Sequence, residues 1–246
     1  SSLLIFGVGI WIVSHWEGKG VLIVTKDETN DKRGGDCGIS DAESLNSLKG
    51  KSSLTNLSNG AVATDVPLCS KLGLETLKNG GNAIDAAVTS TLCLGIANPA
   101  SSGIGGGAFI LLHVSGSNTT EVIDARESAP SAASRDMFET SSSTEGGGSV
   151  GIMGELRGLE LAHRRHGVLS WGEVVDPVLG LAEEGVVVSP YLAHEIDESR
   201  EEILRNEDLA RLLSRGNDGV TLLRAGDVLR NVKLGETMRA VREGGA

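Results

Sequence analysis

The residues whose type and spacing could do chemistry are concentrated in the run IDARESAP, 123–130. If 121–127 is a strand, alternation puts Val122, Asp124 and Arg126 on one face and Ile123 and Ala125 on the other. An arginine on the core or cleft side of such a strand needs an anion. Its planar fork takes a carboxylate through paired hydrogen bonds that lysine cannot copy. The anion is either a ligand carboxylate or an acid of the chain itself, with Asp124 and Glu127 nearest, and pattern alone leaves both open.

Other constellations carry less. Gly103, Gly105 and Ala108 fit the spacing of a dinucleotide fingerprint. That motif follows a strand and opens a helix, whereas this one follows a helical pattern and opens a strand. No G-x-x-x-x-G-K-S/T run occurs, which excludes a P-loop. Four glycines within 103–107 instead let a neighbouring element or a substrate approach the backbone closely. His163 and His166 flank Arg164 and Arg165. Two cations beside them disfavour a divalent metal, so a solvated helix face is expected there, with no metal site. No nucleophile elbow supports Ser-His-Asp catalysis, and no cofactor is expected.

The elements that must position these residues begin at Gly60. GAVAT reads as a short strand, and Asp65 followed by Pro67 opens a helix to Leu77 with positions 68, 69, 72 and 77 inward, stopped by Gly80-Gly81. Asn82 with Asp85 is a capping-box-like pair for the next helix, which is apolar nearly all round and so belongs deep in a core. After SSGIGGG, the segments 108–114 and 121–127 form a β-hairpin with Asn118 near its tip. A helix from Gly154 to His166 turns Leu156, Leu159 and Ala162 inward. Ser170 and Glu173 form a capping box, and the remainder is helical and heavily charged.

Glycine makes up 34 of the 246 residues and aromatics only 3%. Scarce aromatics remove base-stacking platforms, and 22 basic against 33 acidic residues is the wrong balance for a phosphate backbone, so nucleic acid is not a partner. The apolar run 3–13 is too short to span a bilayer, which takes about 20 residues. It suits a signal-peptide core or the rest of a membrane anchor cut off upstream, and a truncated signal or anchor is expected over 1–16. Residues 17–60 read as a polar stem or linker. Sequons at Asn56 and Asn118 support export. Of the three cysteines, Cys37, Cys69 and Cys93, spacing fixes no pairing, and half-buried helical thiols are one reading of Cys69 and Cys93.

Taken in order, GAVATDVPLCSKLGLETLKNGGNAIDAAVTSTLCLGIANPASSGIGGGAFILL, IDARESAP and GELRGLELAHRRHG resemble the large subunit of γ-glutamyltransferases (γ-glutamyl transpeptidases). The resemblance runs from about residue 60 to the end. It implies an α+β fold, the αββα sandwich of N-terminal-nucleophile hydrolases, here incomplete, with 61–246 as a partial large-subunit domain. It also implies a self-cleaving precursor, whose small subunit begins with a nucleophilic threonine that uses its own α-amino group as base. The substrates implied are glutathione and other γ-glutamyl compounds, with the γ-glutamyl group passed to water or to an amino-acid or peptide acceptor. By the same resemblance, Arg126 holds the γ-glutamyl α-carboxylate, Glu127 supports it, and Cys69 pairs with Cys93. The GIGGG turn becomes architectural support near the cleft, and the location is the secretory pathway: plasma membrane, secreted or vacuolar. Thr119-Thr120 lacks the histidine typical of the family's cleavage site. The nucleophile and the oxyanion-hole glycines are therefore expected beyond residue 246, and the chain as a fragment inactive alone. The alternatives are an acylase of the same superfamily and a non-catalytic binding module that kept the fold.

Overall fold

The computed structural model describes residues 22–25, 60–114, 117–143 and 146–246. The apolar run 3–13, Cys37 and Asn56 lie outside them. Strand β1 (Leu22–Thr25) pairs antiparallel with β2 (Gly60–Ala63). It falls inside the stretch expected to be stem, where LIVT is the one run of β-favouring residues.

Helix α1 (Pro67–Lys78) starts two residues later than Asp65 suggested. Val66 is the N-cap, and Pro67 sits where the missing N–H costs nothing. Its inner face is Cys69, Gly73 and Thr76, and Leu68 is 37% exposed rather than inward. One residue is a 100° rotation on a helix, so turning Cys69 to the core carries Leu68 away from it. Helix α2 (Ala83–Ala97) has the expected capping box: Asn82 Oδ1 accepts from the backbone of Ile84 and Asp85, and Asp85 returns a carboxylate to Asn82 N–H at 2.8 Å. Fourteen of its fifteen residues are buried, which explains why its sequence lacks a polar face. Its few polar groups are satisfied by neighbours. Thr76 donates to Thr89, Thr89 to the Val174 carbonyl and Ser90 to the Cys69 carbonyl. A disulfide joins Cys69 to Cys93, with 5.4 Å between their Cα atoms.

Strands β3 (Ala108–Val114) and β4 (Thr119–Ala125) form the antiparallel hairpin, with Ala108 opposite Ala125 and Val114 opposite Thr119. Ala108, Ile110, Leu112, Ile123 and Ala125 point into the core. The other face is open, leaving Phe109 43% and Val122 63% exposed. Helix α3 (Glu155–His166) packs on the buried face beside α2. One helix layer and one strand layer of an αββα sandwich are thus present among the described residues.

After α3 the stretch expected to be helical is broken into short pieces. Pro177 and Gly180 separate α4 (Trp171–Val175), a 3₁₀ turn and α5 (Leu181–Glu184). Ser170 and Glu173 cap α4 reciprocally. Then follow β5 (Val186–Val187), α6 (Pro190–Glu198), α7 (Arg200–Arg205) and α8 (Glu207–Leu212). Strand β6 (Val228–Leu229) pairs with β5, and α9 (Val232–Gly244) closes the chain against α4 and α5. Among the described residues no helix is long and apolar enough to cross a membrane.

His163 and His166 do not lie on a solvated face. The His163 side chain is 10% exposed, its Nε2 is 3.0 Å from the Leu169 carbonyl and 3.4 Å from Asp85, and its ring stands edge-on to Trp171. His166 Nε2 is 2.8 Å from Glu121, which Arg165 also contacts. The histidines bind helix α3 to its neighbours.

Candidate active site

The chain between α2 and β3 makes a tight glycine turn that packs directly on its supports. A Cβ on Gly95 of α2 would sit 2.9 Å from Gly103 Cα, so helix and turn touch backbone to backbone. A Cβ on Gly107 would lie 2.7 Å from each of three atoms: the Ala125 carbonyl oxygen, Glu127 N and Glu127 Oε2. The turn is therefore pressed against the end of β4, the steric role that four glycines allow. Gly154 and Glu155 N–H both donate to the Gly106 carbonyl, at 3.0 and 3.1 Å, tying the start of α3 to the same turn.

Around this turn opens a cleft of about 710 Å³, lined among others by Ser102, Gly103, Arg126, Glu127, Glu155 and Tyr191. That size suits a small-molecule ligand. Arg126 lies just beyond the last residue of β4, on the open side of the sheet rather than the core side, because Ile123 and Ala125 occupy the core face. Its backbone N–H donates to Asp124 Oδ1 at 3.1 Å, and its Nη1 pairs with Glu127 Oε2 at 3.0 Å. Of the two acids suggested by sequence, Asp124 takes the main-chain donor and Glu127 the guanidinium. An ion pair this exposed (40% and 30%) is worth roughly 0–1 kcal/mol, so sharing the guanidinium with a ligand carboxylate costs little.

Glu155 is the residue that sequence reasoning missed. It is the first residue of α3, where an acid normally complements the helix dipole in solvent. Here it is 4% exposed. Ser102 Oγ donates to its Oε2 at 3.3 Å, and Oε1 has no hydrogen-bond partner among the described residues. Burial pushes its carboxyl up to about 7, against hydrogen bonds from Gly103 and Ser102, and the nearby Glu127 charge adds to the rise. The only available signal was its place in the GELRG run.

A Gly-x-Ser-x-Gly spacing does occur once, at 147–151. It forms a 3₁₀ turn in which Ser149 Oγ donates to the Gly146 carbonyl, and among the described residues neither a strand runs into it nor a helix out of it as an elbow requires. Asn118 sits at the exposed hairpin tip with φ 51°, a left-handed conformation asparagine tolerates. Among the described residues, no three His, Cys, Asp or Glu side chains group as metal ligands.

A capped core helix, a glycine turn and a hairpin ending in an arginine on a cleft wall define the helix-and-strand half of an N-terminal-nucleophile hydrolase fold. The solved γ-glutamyltranspeptidase of Helicobacter pylori superposes on 78% of this chain and 56% of its own, with a TM-score of 0.73 and 28% identity. The family model for gamma-glutamyltranspeptidase matches residues 69–246. Scoloptoxin SSD14 of Scolopendra dehaani is 43% identical over 188 residues, covering 76% of this chain and 32% of its own length. Glutathione hydrolase 3 of Arabidopsis thaliana is 39% identical over 209 residues, covering 84% and 32%. This chain belongs to the γ-glutamyltranspeptidase family, and it spans about a third of the length of these two curated relatives.

Proposed function

We propose that this chain supplies the substrate-gripping wall of a glutathione γ-glutamyl hydrolase and transpeptidase. The observation that carries this reading is Arg126, held on the rim of the cleft by Glu127 and the glycine turn. The guanidinium binds the α-carboxylate of the γ-glutamyl group through two parallel hydrogen bonds, fixing the donor with its γ-amide turned away from Arg126. Glu127 holds the guanidinium plane in place. The attacking group belongs to the small subunit of the same precursor, whose N-terminal threonine forms the γ-glutamyl ester and passes it to water or an amine. On this reading the grip and the attack come from different segments.

The disulfide between Cys69 and Cys93 supports an oxidising compartment, and with it a secreted, vacuolar or cell-surface enzyme. Glycans on Asn56 and Asn118 and an anchor or signal over 1–16 belong to the same reading. The exposed hairpin tip at Asn118 leaves room for a glycan.

The test is turnover of γ-glutamyl-p-nitroanilide by the complete precursor that carries this chain. Release of p-nitroaniline that glycylglycine accelerates supports the reading. A properly cleaved, folded protein with no turnover overturns it in favour of a binding module, and turnover only of amides without an α-carboxylate favours an acylase.

A further inference from the structure

The geometry points to Glu155 as a positioning residue for Arg126: its buried carboxyl clamps the 102–107 turn to the start of α3, and that turn holds the Glu127 carboxylate that orients the guanidinium. This rests on the functional reading above. Each link is a contact. Ser102 donates to Glu155 Oε2, and the backbone of 154 and 155 donates to Gly106. A Cβ on Gly107 would collide with Glu127 N and Oε2, so Glu127 is seated directly against the turn. Glu127 Oε2 then lies 3.0 Å from Arg126 Nη1, a charge contact rather than an aligned hydrogen bond, since that oxygen has no hydrogen-bond partner among the described residues.

Glu155 lines the same cleft as the pair, and its buried Oε1 has no hydrogen-bond partner among the described residues. An unpartnered carboxylate oxygen at that depth is costly when ionised and tolerable as a neutral acid. From the turn it faces Ser102 and the Gly103 backbone, and beyond the end of β4 the charge of Glu127, with Arg126 on the same cleft wall. Glu195 and Tyr191 of α6 line the same cleft, and α9 contributes the apolar Leu234. Desolvation raises its pKa to about 7, so it gains charge within the neutral range. Once ionised, it adds a negative charge to the cleft wall beside Glu127 that opposes a ligand carboxylate on Arg126.

Two measurements separate this inference from the reading it rests on. The first needs no activity: urea midpoints of the 246-residue chain against pH. A carboxyl whose folded pKa is raised binds more protons folded than unfolded. Stability should therefore fall between about pH 4.5 and pH 7, and Glu155→Gln should flatten that fall. The second is the donor KM of the complete enzyme. In the wild type KM should rise about three- to tenfold from pH 6 to 8.5 with kcat little changed, the size expected for one partly screened charge. Glu155→Gln should hold KM near its low-pH value throughout, and Glu155→Ala should raise it at every pH. A Glu155→Gln enzyme with the wild-type KM profile overturns the proposal, as does a chain whose stability profile is unaltered by that change. Should Glu155→Ala fail to fold, the Gln variant decides alone. An enzyme with no γ-glutamyl turnover while the stability profile flattens as expected overturns the functional reading and leaves the buried-acid assignment standing.

Discussion

Asp85 ties the start of α2 to the loop behind α3, and its removal should be the most damaging single substitution away from the cleft. The carboxylate is fully buried. It accepts from Asn82 N–H at 2.8 Å, from Val168 N–H at 3.2 Å and from Leu169 N–H at 3.4 Å, with His163 Nε2 at 3.4 Å. Asp85→Ala breaks the capping box, worth about 1 kcal/mol. It also strips the Asn82, Val168 and Leu169 N–H donors of an acceptor, at about 1–3 kcal/mol for each group left truly dry, while His163 keeps the Leu169 carbonyl. Val168 is exposed, so water can reach its N–H and only part of that cost applies. The total is about 3–5 kcal/mol. With a urea m-value of about 2 kcal/mol/M, the midpoint should drop by about 1.5–2.5 M. Asp85→Asn keeps one acceptor oxygen and should lose about half as much. The assay is equilibrium urea unfolding followed by far-UV circular dichroism. An Asp85→Ala loss below about 1 kcal/mol would refute the reasoning, because the buried carboxylate would then be dispensable to the donors it receives.

Three other outcomes are expected. Unfolding the protein without reductant should expose one reactive thiol, Cys37; three would contradict the Cys69–Cys93 bridge, whose removal should cost about 2–4 kcal/mol for a loop of this length. Gly107→Ala forces a methyl onto the Ala125 carbonyl and Glu127, so it should lose about 1–3 kcal/mol and raise the donor KM, whereas a neutral result would show that the turn is loosely seated. Asp218 accepts from the backbone of Val220 and Thr221, which lowers its pKa to about 2. Its folded pKa is depressed, so its contribution is present above about pH 4 and fades as pH falls towards 2; Asp218→Asn should reduce the slope of stability with pH in that window and leave neutral pH behaviour alone.

What sequence could reveal divides along physical lines. The capping pairs at Asn82–Asp85 and Ser170–Glu173 are local chemistry and read directly. So did the hairpin and the burial of α2, because period and polarity are visible in a single segment. Arg126 stood out by type, although the face it occupies did not: its strand stops at Ala125, and the core takes the Ile123 side. Glu155 was hidden because helix-start acids are usually solvated, and only the turn folding over it shows otherwise. His163 misled for the same reason, since its partners Asp85 and Leu169 come from other elements. The breaks at Pro177 and Gly180 that follow α4 are local too, because proline lacks the helix N–H and glycine loosens the backbone.

The most direct test of the central claim compares two donors that differ only at the α-carboxylate, γ-glutamyl-p-nitroanilide and its α-carboxamide, in the complete enzyme with Arg126 and with Arg126→Ala. If Arg126 grips the carboxylate, the wild type should prefer the acid in kcat/KM by about 10- to 150-fold, corresponding to about 1.5–3 kcal/mol for a charged hydrogen-bonded pair, and Arg126→Ala should bring that preference close to one. An Arg126→Ala enzyme that keeps the full preference for the acid would contradict the account, leaving Arg126 as no more than the partner of Glu127.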